Sequence, residues 1–345
     1  MSDGVVKAVV VETPGGPEAL KYTDVSERKP GRGEVLVKLE AVGMNRIDIW
    51  IRSGLYKVQL PRIIGADGAG IVEEVGEDMT NFSKGDRVLI NPAITCGRCR
   101  FCICGVDSLC ENHRLLGHGL DGTYAEKIVV PAINLHHVPT ELSTVQAASI
   151  VVNYATVWNA VVRRAGLTPG MNVLVIGAGS GVGVAAIQLC KLFGCTVIGT
   201  VGEDWKAEKA YKIGADYVIN RRRQSISEAV NAFTKGLGVD LVVEHAGQAV
   251  WEEAVKSMSP GGKLVYFGAT SGENASINIR YTYRRQLSFI GSYGWNKQDI
   301  PHVLQLFHKG LIRPIIHTTY PLSEAAEAHR LMQSDNFFGK IILLP

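Results

Sequence analysis

The sequence predicts an α/β protein in which a β-rich first half is followed by a doubly wound parallel sheet. Two observations carry this prediction. The first part of the chain contains short apolar or alternating runs, such as VVKAVVVE and EVLVKLEAVG, separated by Gly, Pro, Asp and Asn. From Asn172 onward, apolar strands alternate with helical stretches, as in a parallel sheet covered on both faces. At 345 residues the chain is long enough for two domains.

In order along the chain, the runs VVKAVVVE, EVLVKLEAVG, GAGIVEEVG and DRVLI indicate a small barrel or sandwich. The first amphipathic period of helix length covers residues 143–164. NVLVIGAGSGVG then predicts a buried strand entering a glycine turn, VAAIQLCKLFG a helix that ends at Gly194, and CTVIGTV a second buried strand. DYVIN, VDLVVEHAG, GGKLVYFGA and LSFIGSY continue the strands. LSEAAEAHRLMQSD predicts a final helix before a last strand, GKIILLP.

Composition excludes some function classes. The formal net charge is only +3, and residues 220–223 (NRRR) form the only dense basic run, so we expect no general affinity for nucleic acid. The start of the chain does not resemble a signal peptide, and the longest apolar run, residues 173–187, is interrupted by glycines and too short to span a bilayer. We therefore expect a cytoplasmic protein without a membrane segment. In that compartment clustered cysteines indicate metal or redox chemistry more than disulfides.

The glycine turn GAGSGVG lies between a predicted strand and a predicted helix. Glycines let the backbone approach a dinucleotide pyrophosphate, and the helix N-terminus supplies N–H donors and a positive dipole. The spacing differs from strict G-x-G-x-x-G, but the flanking strands and helix support a nucleotide site. The expected cofactor-binding residues of this turn are Gly177, Gly179, Ser180, Gly181, Val182 and Gly183.

The residues after the second strand bear on the choice of cofactor. NAD-selective chains usually place an acidic residue at the end of that strand, where this chain has Val201 and Gly202. Glu203 follows and could serve that role. Lys206 and Arg221 could instead meet a 2′-phosphate. We therefore favour NADP(H) over NAD(H).

Four cysteines have a spacing typical of a metal site. Cys96, Cys99, Cys102 and Cys110 read C-x2-C-x2-C-x7-C, with Cys104 left over. Four thiolates suit tetrahedral zinc, and a site closed by four cysteines is structural. Iron–sulfur ligation, a zinc ribbon and free buried thiols are the alternatives. We expect one structural zinc per chain.

With the cysteine lobe and the glycine turn, the motifs FSKGDRV, GTYAE, PGGKLVYFG and GKIILL resemble the medium-chain dehydrogenase/reductase superfamily over essentially the whole chain. The resemblance implies a GroES-like catalytic domain at residues 1–153, with a zinc lobe at about residues 91–114, and a Rossmann dinucleotide-binding domain at residues 154–297. Residues 298–345 would return to the catalytic domain. It also implies a cleft site for a small-molecule substrate and subunits paired through their nucleotide domains, as a homodimer or homotetramer.

Family alcohol dehydrogenases hold a second, catalytic zinc, and the resemblance locates its ligand positions in this chain. Asn45 stands where the first cysteine would be, Ala66 and Asp67 replace the usual His-Glu pair, and the third position falls at or near Val152. Oxygen donors alone would make an unusual zinc site.

This substitution bears on the reaction. Zinc lowers the pKa of bound water from about 15.7 to about 7. The same shift for a bound alcohol would stabilise the alkoxide by roughly 12 kcal/mol. One hydrogen-bond donor in an oxyanion hole contributes only about 3–4 kcal/mol. We therefore expect a conjugated hydride acceptor, such as a quinone, an enone or an enoyl thioester. NRIDIWIRSGLY resembles the zinc-independent quinone oxidoreductases of the superfamily. The alternatives are a zinc alcohol dehydrogenase with atypical ligands and a non-catalytic NADPH-binding protein.

Four residues are the expected catalytic group. Asn45 could donate its amide to the substrate oxygen, and Asp48 could orient Asn45, bind the ribose side of the cleft or start a helix. Tyr56 could be a donor or a pocket wall. Asp67 is a polar group that would need partners if buried.

Further cofactor contacts follow from the resemblance. Arg46 matches a pyrophosphate-contacting position, and Thr156 matches a threonine near the nicotinamide. Gly247 and Gly268 close the fourth and fifth strands of the nucleotide half, where the backbone approaches the cofactor. His245 has no evident partner in the sequence and is interpreted as structural.

Overall fold

The computed structural model describes residues 4–78 and 80–345. The chain forms two compact units: unit 1 comprises Met1–Val152 and Asn296–Pro345, and unit 2 comprises Asn153–Trp295. The domain limits expected from the resemblance, 153/154 and 297/298, lie one and two residues away from these boundaries.

The first part of unit 1 is rich in short strands. They are β1 (Val5–Val11), β2 (Leu20–Ser26), β3 (Glu34–Gly43), β4 (Arg62–Ile63), β5 (Asp67–Val75), β6 (Arg87–Ile90), β7 (Ala93–Ile94), β8 (Arg114–Leu115), β9 (Lys127–Pro131) and β10 (Leu135–His137). The helices of this part are α1 (Arg46–Arg52), α2 (Arg100–Ile103) and α3 (Thr144–Ala147).

Unit 2 alternates strands and helices. Its strands are β11 (Asn172–Val175), β12 (Thr196–Val201), β13 (Tyr217–Asn220), β14 (Val239–Glu244), β15 (Met258–Tyr266) and β16 (Ser288–Gly291). Its α-helices are α4 (Gly181–Leu192), α5 (Asp204–Lys212), α6 (Ile226–Phe233), α7 (Trp251–Lys256) and α8 (Ile279–Arg284). The chain then returns to unit 1 with α9 (Asp299–His308), β17 (Ile316–Pro321), α10 (Ala325–Gln333) and β18 (Lys340–Leu344).

The sheet of unit 2 has the order β13-β12-β11-β14-β15-β16, and all of its strand pairs are parallel. This is the 3-2-1-4-5-6 order of a doubly wound dinucleotide-binding sheet, in which the crevice lies at the carboxyl ends of β11 and β14, where the strand order reverses. Leu174, Ile198, Val242 and Leu264 from its central strands are completely buried, as expected for strands covered on both faces. The predicted fold class is confirmed for this unit.

The main sheet of unit 1 joins both ends of the chain. Its order is β10-β6-β5-β3-β18-β17, with β9 also pairing with β3, and β2, β1 and β4 form a separate sheet. β3 pairs with β5 on one side and with the C-terminal strand β18 on the other. This arrangement brings the starts of β5 and β18 to the end of β3, where α1 begins.

One described helix, Thr144–Arg164, is long and apolar enough to cross a membrane by length and composition. However, 72% of its apolar window is buried inside the protein, and core helices of globular proteins meet the same criteria. Part of it has π-helical geometry, at Val151–Ala155 and Trp158–Arg164.

Candidate functional site

The start of α1 fixes the first pair of predicted site residues. Asn45 precedes the helix in an extended conformation, and its backbone N–H donates to Asp48 Oδ2 at 2.8 Å. Asp48 is 1% exposed. Of the roles considered for Asp48, this contact supports the two local ones, which are starting the helix and orienting Asn45.

The side chain of Asn45 makes three hydrogen bonds within unit 1. Its Nδ2 donates to Gly43 O and to Asp67 Oδ2, both at 3.1 Å, and its Oδ1 accepts from Lys340 Nζ at 2.7 Å. An amide nitrogen carries two hydrogens, and both are engaged. In this structure the amide positions Asp67, and donation by Asn45 to a substrate oxygen stays a prediction.

A buried ion pair joins Asp67 to Lys340. Lys340 Nζ lies 2.8 Å from Asp67 Oδ2, and the two side chains are 4% and 1% exposed. Asp67 Oδ1 accepts from Val152 N at 3.0 Å. The partners that a buried Asp67 would need are thus present. Lys340 was not among the predicted site residues.

Tight packing around Gly43 explains how these groups meet. In the sheet register Gly43 lies opposite Asp67 on β5 and Ile342 on β18. A Cβ atom on Gly43 would stand 2.1 Å from Ala148 O and 2.9 Å from Lys340 Cε. Only glycine fits here, because a side chain would collide with backbone and displace the lysine.

A second buried chain of hydrogen bonds ends on Asp48. Tyr124 Oη lies 3.2 Å from Asp48 Oδ2 and 3.1 Å from His329 Nε2, and His329 Nδ1 lies 3.3 Å from Arg52 Nη1. Because arginine can only donate, His329 Nδ1 must accept, so Nε2 carries the hydrogen and donates to Tyr124. Tyr124 then donates to Asp48. Every hydrogen bond in this chain runs towards the carboxyl group.

Burial sets the protonation of this chain. It raises the pKa of Asp48 to about 7, against the opposing effects of the Asn45 N–H and the charge of Lys340. It lowers the pKa of His329 to about 3, with help from the Arg52 charge, which agrees with a neutral imidazole accepting from Arg52. Burial also raises the pKa of Tyr124 well above its usual value. Among these four hydrogen-bonded side chains, Asp48 is therefore the one whose charge changes near neutral pH.

Two other predicted residues of unit 1 lie apart from these hydrogen bonds. Tyr56, 36% exposed, packs against Trp50 with ring centroids 5.2 Å apart and against His118 at 6.2 Å. This geometry fits a pocket wall. Arg46 donates to Met332 O at 3.1 Å and to Asp335 Oδ1 at 2.5 Å, so its guanidinium is held at the end of α10.

The four predicted zinc-binding cysteines lie together. The Sγ atoms of Cys96, Cys99, Cys102 and Cys110 all fall within 4.8 Å of one another, and Cys104 is outside this group. Two Sγ–Sγ pairs, Cys99–Cys102 and Cys96–Cys110, are 3.6 Å apart. Zinc bonded tetrahedrally to four sulfurs at about 2.3 Å requires sulfurs about 3.8 Å apart. The donor set and its spacing therefore fit zinc.

The cysteines of the lobe differ in their pKa values. Backbone N–H groups of Arg98 and Cys99 lower the pKa of Cys96 to about 6, whereas burial raises the pKa of Cys102 to about 12. A cation among the sulfurs would favour the thiolate form of both. Among the residues that the structure describes, this is the one group of three or more His, Cys, Asp or Glu side chains close enough to share an ion.

In unit 2 the glycine turn has the predicted strand-turn-helix form. β11 ends at Val175, Gly179 lies within the turn, and α4 begins at Gly181. Ser180 caps the helix by accepting from Gly183 N at 2.9 Å. A Cβ atom on Gly183 would stand 2.2 Å from Gly177 O, so the helix packs too closely for any other residue. The N–H groups in the first turn of this helix and the narrow glycine turn fit a dinucleotide diphosphate.

The end of the second strand carries basic side chains. β12 ends at Val201, and a Cβ atom on Gly202 would lie 3.6 Å from Arg222 Nε and 3.7 Å from Arg221 Nη2. Glu203, the acidic candidate for a ribose contact, forms an ion pair with Arg222. Lys206 is 9% exposed, with its ammonium 5.5 Å from the centroid of the Trp205 ring.

The remaining predicted cofactor residues lie at the carboxyl ends of strands or in the helix that starts unit 2. Thr156 is 8% exposed in that helix. Gly247 follows β14 with φ +90°, and Gly268 follows β15, where a Cβ atom would stand 2.5 Å from His245 O. His245 does have a partner, because its Nε2 lies 3.3 Å from Ser180 Oγ. The sequence alone could not identify this partner, and the interpretation of His245 as structural stays a prediction.

Comparison with known proteins agrees with this architecture. A family model described as "Alcohol dehydrogenase GroES-like domain" matches residues 31–140, and one described as "Zinc-binding dehydrogenase" matches residues 181–309.

Individual relatives carry several activities in their names. The chain is 31% identical to an acryloyl-coenzyme A reductase of Sulfurisphaera tokodaii, over 99% of this chain and 100% of that protein. It is 29% identical to human quinone oxidoreductase, over 99% of this chain and 98% of that protein. A crystal structure of an NAD-dependent alcohol dehydrogenase is 40% identical, with a TM-score of 0.95 over 98% of this chain and 99% of the other. With its GroES-like fold, its doubly wound sheet and its glycine turn, this chain belongs to the medium-chain dehydrogenase/reductase superfamily.

Proposed function

We propose that this protein is an NAD(P)H-dependent reductase of conjugated acceptors that works without a catalytic metal. The observation that carries the proposal is the ammonium group of Lys340, which bonds to Asn45 Oδ1 at 2.7 Å and to Asp67 Oδ2 at 2.8 Å. Asn45 and Asp67 stand at or beside positions where family alcohol dehydrogenases have zinc ligands.

The donor set at this point does not fit zinc. A divalent ion would need the same two oxygens that already bind Lys340, and it would have to displace a buried ammonium group. Zinc prefers sulfur, imidazole nitrogen or carboxylate, and the third position, Val152, contributes only a backbone N–H, which donates to Asp67. The Lys340 charge compensates Asp67 in the way that a bound cation would. We therefore derive no step through a metal here.

The absence of fitting ligands favours acceptors that delocalise the incoming electrons. When bound, NAD(P)H supplies a hydride, and the carbon at the far end of a C=C–C=O system receives it. The C=C pair would form a double bond between the α-carbon and the carbonyl carbon while the C=O pair moves to oxygen. A solvent proton added at the α-carbon would complete the saturated product, leaving NAD(P)⁺ as the oxidised cofactor. Conjugation stabilises the oxyanion, so a Lewis acid contributing roughly 12 kcal/mol is not required.

Enoyl thioesters and quinones are the acceptor classes that we propose first. A curated relative at 31% identity is named as an acryloyl-coenzyme A reductase, and one at 29% as a quinone oxidoreductase. The competing activity, alcohol oxidation, has support in the name of the 40%-identical structure. A non-catalytic NADPH-binding protein is the third possibility, which predicts binding without turnover on any acceptor.

NADP(H) stays our preferred cofactor. Arg221 and Arg222 lie next to Gly202 at the end of β12, and Glu203 is paired with Arg222 rather than available to a ribose hydroxyl. Two guanidinium groups at this strand end suit a 2′-phosphate. The 40%-identical structure is named NAD-dependent, so this choice must be measured directly.

We further propose one structural zinc in the cysteine lobe, a cytoplasmic location and a homodimer or homotetramer. Support for association comes from β16, which is the edge strand of its sheet, and from α8 just before it, where Ile279 and Tyr283 are 72% and 64% exposed. Light scattering of the purified protein would distinguish a monomer from either oligomer.

The experiment that tests the function combines turnover with metal content. We expect NADPH oxidation with an enoyl thioester, an enone or a quinone, little activity with simple alcohols, and one zinc per chain by elemental analysis. Two zinc ions per chain, with alcohol oxidation abolished by mild chelation, would contradict the proposal and favour the alcohol dehydrogenase. As a control, zinc-free buffers exclude ions acquired during purification.

A further inference from the structure

His245 lies at the point of unit 2 where a dinucleotide is expected. It directly follows β14, the neighbour of β11 in the sheet, with Val175 opposite Val243. These two strands flank the point where the strand order reverses, and ligands of open α/β sheets bind outside the carboxyl ends of such strands.

The imidazole of His245 packs directly on the glycine turn. A Cβ atom on Gly177 would stand 3.0 Å from His245 Cε1 and 3.1 Å from Nε2. The ring also stacks on Phe267, with centroids 5.9 Å apart and planes at 22°. On the backbone side, Gly268 approaches His245 O so closely that a Cβ atom there would lie 2.5 Å away. These contacts hold the ring in one orientation beside the turn.

The hydrogen bonds of Ser180 show which ring nitrogen carries hydrogen. The Ser180 hydroxyl donates its single hydrogen to Gly177 O at 2.9 Å and accepts from Gly183 N at 2.9 Å. It has no second hydrogen for His245 Nε2, which lies 3.3 Å away. The imidazole must therefore donate to the hydroxyl, so Nε2 is an N–H group. This places a side-chain donor at the turn, in addition to the backbone N–H groups of α4.

Buried Glu244 holds the segment that carries this donor. It is completely buried, and its Oε1 accepts from Ala246 N at 2.6 Å and from Gly247 N at 2.8 Å. These bonds fix the turn that follows β14. Glu244 therefore fixes the backbone next to His245, and the ring of Phe267 fixes the imidazole.

We propose that His245 is a ligand of the cofactor diphosphate, with its Nε2–H as the donor and Ser180 as its partner when no anion is bound. The inference rests on the proposed use of a nicotinamide dinucleotide. It adds a side chain to a turn from which sequence reasoning expected only glycines, Ser180 and Val182 to contribute. A hydrogen bond to a charged phosphate oxygen is stronger than one to a neutral hydroxyl, so an anion at the turn would compete for this donor.

The test is the binding of ADP-ribose, which contains the diphosphate but no nicotinamide, by isothermal titration calorimetry. His245→Leu removes the donor, His245→Asn keeps polarity but is too short to reach, and His245→Gln places an amide N–H near the original Nε2. We expect the Leu and Asn variants to bind about 10- to 100-fold more weakly and the Gln variant to stay within about 3-fold of the wild type.

Two outcomes would overturn the inference, and they are distinguishable. If the Leu and Asn variants bind ADP-ribose as the wild type does, His245 only packs the turn while the cofactor site stands. If the wild type itself does not bind ADP-ribose, the proposed cofactor site is wrong, and the proposed role of His245 is wrong as well. Having two variants that remove the donor means that one of them can misfold without losing the test.

Discussion

Replacing Lys340 with methionine tests the buried ion pair directly, because methionine has a similar length but no charge. Asp67, which is 1% exposed, would then lose the ammonium group and keep only Val152 N and Asn45 Nδ2 as donors. Removing one partner of a buried pair costs about 3–5 kcal/mol. In a unit of roughly 200 residues each kcal/mol lowers the Tm by about 2–4 °C, so we expect a fall of about 6–20 °C.

The matched control is the double variant Lys340→Met with Asp67→Asn, which removes both charges and keeps an oxygen acceptor for Val152 N. We expect it to recover at least half of the loss, with a coupling free energy above about 2 kcal/mol across the mutant cycle. Thermal and urea unfolding followed by circular dichroism at neutral pH measure this. ADP-ribose affinity should stay unchanged, because the glycine turn belongs to unit 2. The ion pair would be unimportant for stability if Lys340→Met were as stable as the wild type. The same conclusion would follow if the stability losses of the two single substitutions simply added in the double variant.

Three further predictions concern other sites. Asp48→Asn removes a carboxyl group whose pKa burial raises from 3.8 to about 7. Between pH 4 and 7 the unfolded chain ionises this carboxyl group while the folded wild type keeps it protonated. The free energy of unfolding of the wild type therefore falls as the pH rises through about 4 to 7, and the variant should gain stability relative to the wild type over that range. Urea midpoints across the pH series measure the gain, and parallel curves would contradict it. Cys102→Ser should abolish zinc binding and lower the Tm, whereas Cys104→Ser, an exposed cysteine outside the group, should retain one zinc by elemental analysis. Arg221→Ala should weaken NADPH binding about 10-fold and change NADH binding by less than about 2-fold, and equal effects in fluorescence titrations would contradict NADP selectivity.

The features that local sequence could predict are those whose chemistry lies within a short segment. Cys96 to Cys110 contain their own metal-site spacing, and the glycine turn is recognisable because a strand precedes it and a helix follows. The alternation of strands and helices likewise predicted the parallel sheet of unit 2. In each case the interacting groups are close along the chain, so spacing alone carries the information.

The features that were missed depend on long-range pairing. Lys340 meets Asp67 across 273 residues, and Tyr124 meets His329 across 205. The sequence does contain a signal for Lys340 and for His329. Lys340 opens an otherwise apolar strand, and His329 falls on the apolar side of α10 with Ala325, Ala328 and Met332, which are buried with it. A charged or polar residue on a buried face implies a partner, but only the fold identifies it.

The direction of the hydrogen bonds suits an acceptor at position 48, although burial disfavours the charge of Asp48. Arg52, His329 and Tyr124 donate in sequence towards Asp48, and a carboxylate can accept from both Tyr124 and Asn45 N. Asn45 in turn presents its Oδ1 to Lys340. Loss of the carboxylate would loosen the start of α1, and with it one of the two oxygens that hold the ammonium group. The Asp48 chain and the Lys340–Asp67 pair therefore share Asn45, so double variants across the two should show non-additive stability.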